Sequence, residues 1–370
     1  MNQFHLEIML IAALTAAACA LPGVFLVLRR MALMCDAISH VVLLGIVIMF
    51  FIVRNLESPL LTIGAAVSGL VTVVLVEGLT RTGRVKKDAA IGIVFPLLFS
   101  LAVIMVSRSL GNVHLDTDSV LLGELAFAPL NRLHWGDMDL GPRGAWGMAA
   151  VLIVNLGLVI AFYKELKLAT FDEGLAASLG FAPAIIHYGL MAMVSVTAVE
   201  AFDVAGSILV VALMIAPAAA AWLLTDSLNR MLLIAVALGV AGAISGYWVA
   251  SWLDASIAGC MATMLGVIFA VVLLIAPHRG LISIAMRRRR QKISFAGTML
   301  TIHLLHHEDL PEADRENRVA HLGEHLRWSD HFAMNAVRWA EREGYVNRSD
   351  NGVLTLTMPG RTHAREVTSL

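Results

Sequence analysis

Apolar runs long enough to cross, or nearly cross, a bilayer fall at 8–28, 37–53, 59–80, 89–106, 145–163, 182–199, 205–224, 230–250 and 257–276. A spanning helix needs about 20 such residues, because hydrocarbon offers no water to satisfy a bare peptide group. The pattern predicts an all-α polytopic membrane protein of about nine transmembrane helices. The longest polar link, 107–143, holds an apolar island at 121–130, too short to cross, which predicts a re-entrant or interfacial helix. At Gln291 the pattern turns to that of a water-soluble domain. Helices are expected over 300–307, 315–326 and 329–344, then strand-like pieces at 345–347 and 353–357 around the turn Ser349-Asp-Asn-Gly352. Three helices before a hairpin predict a small C-terminal α+β winged-helix domain. The expected division is a transmembrane domain at 1–285, a basic linker at 286–296 and a winged-helix-like domain at 297–370.

Composition and charge sharpen this picture. With 58% hydrophobic and 15% charged residues, the chain has too little polar surface for a soluble fold. Arg29-Arg30, Arg81 to Lys87, Lys164 to Lys167, Arg230 and Arg279 to Arg290 fall in alternate links. The positive-inside rule puts those links in the cytoplasm, with the N-terminus outside and the C-terminal domain inside. No Lys or Arg precedes 8–28, so that run reads as a first span rather than a cleaved signal. Cys19, Cys35 and Cys260 have no CxxC spacing and read as small buried hydrophobes.

Asp36 and His40 carry the clearest chemistry. They share one helix face at i, i+4, and a carboxylate beside an imidazole suits Mn²⁺, Fe²⁺ or Zn²⁺. An N-capping Asp followed by a histidine bonded between helices is the structural alternative. Glu200 and Asp203, at i, i+3 between two apolar runs, are candidates for further ligands or are loop acids. His114, Asp116 and Asp118 form a polar cluster that can receive a cation at the outer mouth, or cap the helix that follows. Ala216-Pro217 interrupts the run 205–224 and predicts a bend. Phe171-Asp172-Glu173-Gly174 to Gly180 reads as a short amphipathic helix parallel to the membrane, a docking element or a connector. In the tail, His303 with His307 and His321 with His325 have i, i+4 spacing that can bind a divalent ion for sensing, or are plain surface histidines. No G-x-x-x-x-G-K-[ST] loop occurs, so hydrolysis of ATP would fall to another chain.

Several stretches together resemble the ABC-3 permeases of bacterial manganese, zinc and iron importers. They are Gly23 to His40, His114 to Asp118 with Gly123-Glu124, Phe171 to Gly174 with Leu179-Gly180, and Ala205 to Pro217. The resemblance implies a multi-pass protein of the bacterial cell membrane with a type II-like ABC importer fold. It also implies a second permease subunit, ABC ATPase subunits at the cytoplasmic face and an extracytoplasmic metal-binding protein. Asp36 and His40 would line the pathway, and Phe171 to Gly180 would be the coupling helix. The cargo would be a divalent metal ion, with no cofactor bound permanently. A permease for chelated iron or a corrinoid, or a membrane-anchored metal-responsive regulator, are the alternatives. The tail, through Gly344-Tyr345-Val346, Leu354-Thr355 and Gly360, resembles the N-terminal domain of DtxR-type metal-dependent repressors. DNA is disfavoured as its partner, because residues 291–370 hold nine Lys and Arg against eleven Asp and Glu.

Overall fold

In the computed structural model the chain forms two compact units, Met1–Ala276 and Pro277–Leu370. Residues 3–308 are described apart from 56–57, 59, 110–124 and 136–137, followed by 313–319, 321–322, 326, 328–349 and 351–368. The first unit consists of α1 (Gln3–Leu28), α2 (Ala32–Val53), α3 (Leu60–Arg81), α4 (Lys87–Ser109), α5 (Arg143–Ala161), α6 (Tyr163–Phe171), α7 (Glu173–Ser178), α8 (Pro183–Leu224), α9 (Leu228–Leu253) and α10 (Ile257–Ile275). Among the described residues eight of them, all but α6 and α7, are long and apolar enough to cross a membrane. The nine predicted runs become eight because 182–199 and 205–224 join in α8, which has 42 residues. A straight helix of that length would run about 63 Å, roughly twice the hydrocarbon core. Gly206 interrupts it, at φ 76° and ψ 163°, a conformation open to glycine and strained for other residues. Pro217 lies inside the second half without ending it.

Burial is greatest along α1, where Ile11, Ala16, Ala18, Cys19, Val24 and Phe25 are fully enclosed. Helices in hydrocarbon gain little from excluding water and rely on close packing, which small residues permit. A Cβ on Gly23 would fall 2.0 Å from the Met214 carbonyl oxygen of α8, and one on Gly45 of α2 would fall 2.3 Å from that of Gly64 on α3. Gly246 of α9 likewise meets the Met261 backbone of α10. Asn155 Nδ2 of α5 donates to the Ala18 carbonyl (3.1 Å) and to Thr197 Oγ1 (2.8 Å), tying α5 to α1 and α8. Bonds of this kind contribute about 0.6 kcal/mol on average in membrane bundles.

The link before α5 differs from expectation. Of the interfacial helix predicted at 121–130, the described residues show a 3₁₀ turn at Ala128–Leu130. An antiparallel hairpin follows, β1 (Arg132–Trp135) and β2 (Met138–Pro142), with a bulge between Arg132 and His134. Arg132 pairs with both Asp139 and Glu7, fastening the hairpin to the start of α1. The Gly141 N–H and the Arg132 guanidinium hold the Asp139 carboxyl below the usual carboxylate range.

The second unit comprises α11 (Leu281–His307), α12 (Ala313–Glu316), α13 (Asp330–Arg342), β3 (Val346–Arg348), β4 (Leu354–Leu356) and α14 (Met358–Thr368). The stretch 286–296, read as a linker, is helical and lies inside α11. Of the helix predicted over 315–326, the structure describes the turn Ala313–Glu316. Leu300, Leu304, Leu322, Val337, Val346 and Leu354 form the core of this unit. Gly297 lets the Trp339 ring of α13 press against α11, where a Cβ would fall 1.9 Å from it. β3 and β4 pair Val346 with Leu356 and Arg348 with Leu354, and Gly352 closes their turn at φ 76°. Arg318 bridges to Val353 at the hairpin's edge.

Candidate functional site

α2 starts directly from the end of α1. Arg30 takes a left-handed φ of 56°, and the Met31 N–H reaches the Leu26 carbonyl at 2.8 Å. Asp36 therefore lies in the second turn of a helix that begins at Ala32, and the N-cap alternative is set aside. The buried face of α2 carries Cys35, Ile38, Val41, Val42 and Gly45, which leaves Asp36 and His40 on the other side. Asp36 Oδ1 is 3.5 Å from His40 Nε2, and their side chains are 46% and 24% exposed. The imidazole rests against Phe95 (5.3 Å between centroids) and Phe99 (6.0 Å) of α4, which fix the ring while leaving the carboxylate open. Two donors thus converge on an accessible spot inside a spanning helix. Among the described residues no group of three or more His, Cys, Asp or Glu is placed to hold a metal ion.

The other candidates lie apart from this pair. Glu200 is half-buried on the first half of α8 and lies over Gly147 of α5, where an added Cβ would come 2.1 Å from Oε1. Asp203, one turn on, is exposed. His114, Asp116 and Asp118 lie outside the described residues, as does His325. The rings of His303 and His307 lie with centroids 4.4 Å apart at a tilt of 43°, and His307 Nδ1 pairs with Glu316, whereas His321 lies beyond that turn. The short helix expected from Phe171 to Gly180 is α7, Glu173–Ser178, which follows α6 at a corner. Phe171 ends α6, and Asp172 caps α7 by accepting the Leu175 N–H at 2.9 Å. Glu173 and Gly174 open α7, Gly180 turns the chain at φ 86°, and Leu175 and Leu179 are exposed.

A second polar group escaped the sequence reading. Glu77 of α3 contacts His187 Nε2 of α8, accepts a 2.6 Å hydrogen bond from the Tyr188 hydroxyl, and lies 3.6 Å from Arg81. Arg29 donates to His187 Nδ1 at 2.9 Å and to the Ala169 carbonyl of α6 at 2.8 Å. An acid three residues before the end of the run 59–80 was the available signal, but it also reads as a surface partner of Arg81 at i, i+4.

A bundle of membrane-length helices with a carboxylate–imidazole pair on one span places the chain among polytopic α-helical membrane proteins. The model of the ABC 3 transport family matches residues 1–276. The chain belongs to that family. It is 49% identical over 355 residues to the zinc transport system membrane protein TroD of Treponema pallidum, covering 96% of each chain. It is 45% identical over 295 residues to the manganese transport system membrane protein MntD of Bacillus subtilis, covering 80% of this chain and 100% of that one. Among solved structures it resembles PsaBC from Streptococcus pneumoniae in complex with Fab, with a TM-score of 0.63 and 27% identity, over 75% of this chain and 94% of the matched one.

Proposed function

We propose that this chain is the membrane permease subunit of an ATP-driven importer for a divalent transition metal, Mn²⁺, Zn²⁺ or Fe²⁺, and that Asp36 and His40 hold the ion in transit. The observation that carries this reading is the pair itself: a carboxylate and an imidazole one helical turn apart, accessible, on a span of an ABC 3 transport family member. Relatives named for zinc and for manganese support the cargo class. Carboxylate plus imidazole serves all three ions, so geometry and supply select among them.

Two donors leave a tetrahedral or octahedral ion short of ligands. A second permease subunit presenting an equivalent pair would complete the shell and leave the site open to exchange. Glu200 and Asp203 then act elsewhere on the route, and His114, Asp116 and Asp118 at the outer mouth, where a metal-binding protein delivers the ion. The N-terminus is outside and residues 277–370 are cytoplasmic. ABC ATPase subunits dock on exposed Leu175 of α7 and Leu179 just after it, and drive alternating access. The C-terminal unit is a winged-helix-type accessory domain that contacts protein rather than DNA, with His303, His307 and, after them, His321 and His325 as candidate sensors of cytoplasmic metal.

Uptake of radioactive Mn²⁺ and Zn²⁺ by cells making normal amounts of Asp36→Ala or His40→Ala protein tests the proposal. Groups that only hydrogen-bond to a metal ligand are worth about 10–100-fold in metal affinity, so losing a ligand itself is expected to lower uptake at least about tenfold. Parental uptake by both variants refutes it.

A further inference from the structure

Arg29 stands at the corner between α1 and α2, seven residues before Asp36. Its Nη2 donates to the Ala169 carbonyl at 2.8 Å, its Nε to Thr170 Oγ1 at 3.4 Å and its Nη1 to His187 Nδ1 at 2.9 Å. Ala169 and Thr170 lie in the last turn of α6, where carbonyls lack helical partners and the helix dipole favours a cation. Asp172, two residues on, caps α7. The guanidinium therefore grips α6 next to the place where a push on α7 would enter. Arg29, which can only donate, takes up Nδ1 of His187, and the Nε2 edge of the same ring lies against the Glu77 carboxylate. Glu77 also holds Tyr188. The His187 and Glu77 side chains are only 12% and 17% exposed, so water is a poor substitute for these partners.

We propose that Arg29, His187 and Glu77 are positioning residues for energy coupling, a joint that carries movement of the α6–α7 corner into α2 and so to Asp36 and His40. This rests on the reading of residues 171–180 as the surface that receives the ATPase. The α1–α2 corner has no slack, since the Met31 N–H is tied back to Leu26 and α2 begins at once. A displaced α6 must carry that corner with it or break bonds made by a charged, planar fork, and such bonds are about twice as strong as neutral ones. Lysine at position 29 would keep the charge and lose the fork, so it cannot hold α6 and His187 together.

The test uses the complete transporter with its ATPase subunits in proteoliposomes. ATP hydrolysis, Mn²⁺ or Zn²⁺ uptake and melting temperature are measured for Arg29→Lys, His187→Ala and Glu77→Gln. The variants are expected to go on hydrolysing ATP while ions imported per ATP fall severalfold. A purely structural role lowers both activities in parallel, and an unchanged ratio overturns the proposal. Thr170→Val, which deletes one acceptor and keeps the shape, should lower the ratio less, and an unchanged ratio there counts against the joint even if the other variants misfold. Leu175→Glu on α7 separates the two readings. Parental hydrolysis and uptake in that variant remove the docking surface and the joint with it, whereas their loss alongside an unchanged ratio in Arg29→Lys removes the joint alone.

Discussion

Gly45 shows how much the proposed ion site depends on a residue that is no part of it. It lies nine positions after Asp36 on the buried face of α2, where any side chain would strike the Gly64 carbonyl and Ala65 of α3. Gly45→Val is expected to push α2 from α3 and cost about 1–3 kcal/mol, as overpacking does. A lower melting temperature of the purified permease would show it, and an unchanged one would mean that the two helices can part freely. The Asp36 and His40 pair was legible in the sequence because its spacing and its donor chemistry are both local. The Arg29, His187 and Glu77 group was not, since its members lie 48 and 110 residues apart along the chain and each has an ordinary local reading. Phe95 and Phe99 were likewise only two more apolar residues of a span until α4 placed them against the imidazole.

Among the elements, α8 decides which way the chain runs. If its halves, 183–205 and 207–224, cross separately, the Arg and Lys clusters at 29–30, 81–87, 164–167 and 279–290 fall on one side, with only Arg54, Arg108, Arg132 and Arg143 opposite; a single crossing puts the block at 287–290 outside. In a background with Cys260 replaced by alanine, a membrane-impermeant maleimide is expected to label Ala255→Cys on intact cells and to spare Asn229→Cys. The reverse pattern would mean one crossing. The polar interruption at 200–204 located the break in advance, whereas the backbone angles of Gly206 are invisible to periodicity, which sees only a short gap. The hairpin β1–β2 was missed because strands of four and five residues are too short to show alternation beside the longer apolar island before them.

For the whole molecule, the family match ends at residue 276, where the first compact unit also ends. A chain cut after Gly280 is therefore expected to assemble and import metal, measured as uptake beside the full-length protein. Uptake at background, with the shortened protein present in the membrane, would show that transport needs the second unit. The change of composition at Gln291 pointed to that unit, and α11 continues unbroken through the arginine block that leads into it. That continuity has a further consequence. Four successive residues of an α-helix point about 100° apart, so Arg287, Arg288, Arg289 and Arg290, all exposed, encircle their helix instead of forming a stripe. At about 2.5–3.5 kcal/mol for each arginine brought to the middle of a bilayer, no rotation of this collar offers lipid an uncharged flank, and it acts as a fixed stop against the helix slipping into hydrocarbon.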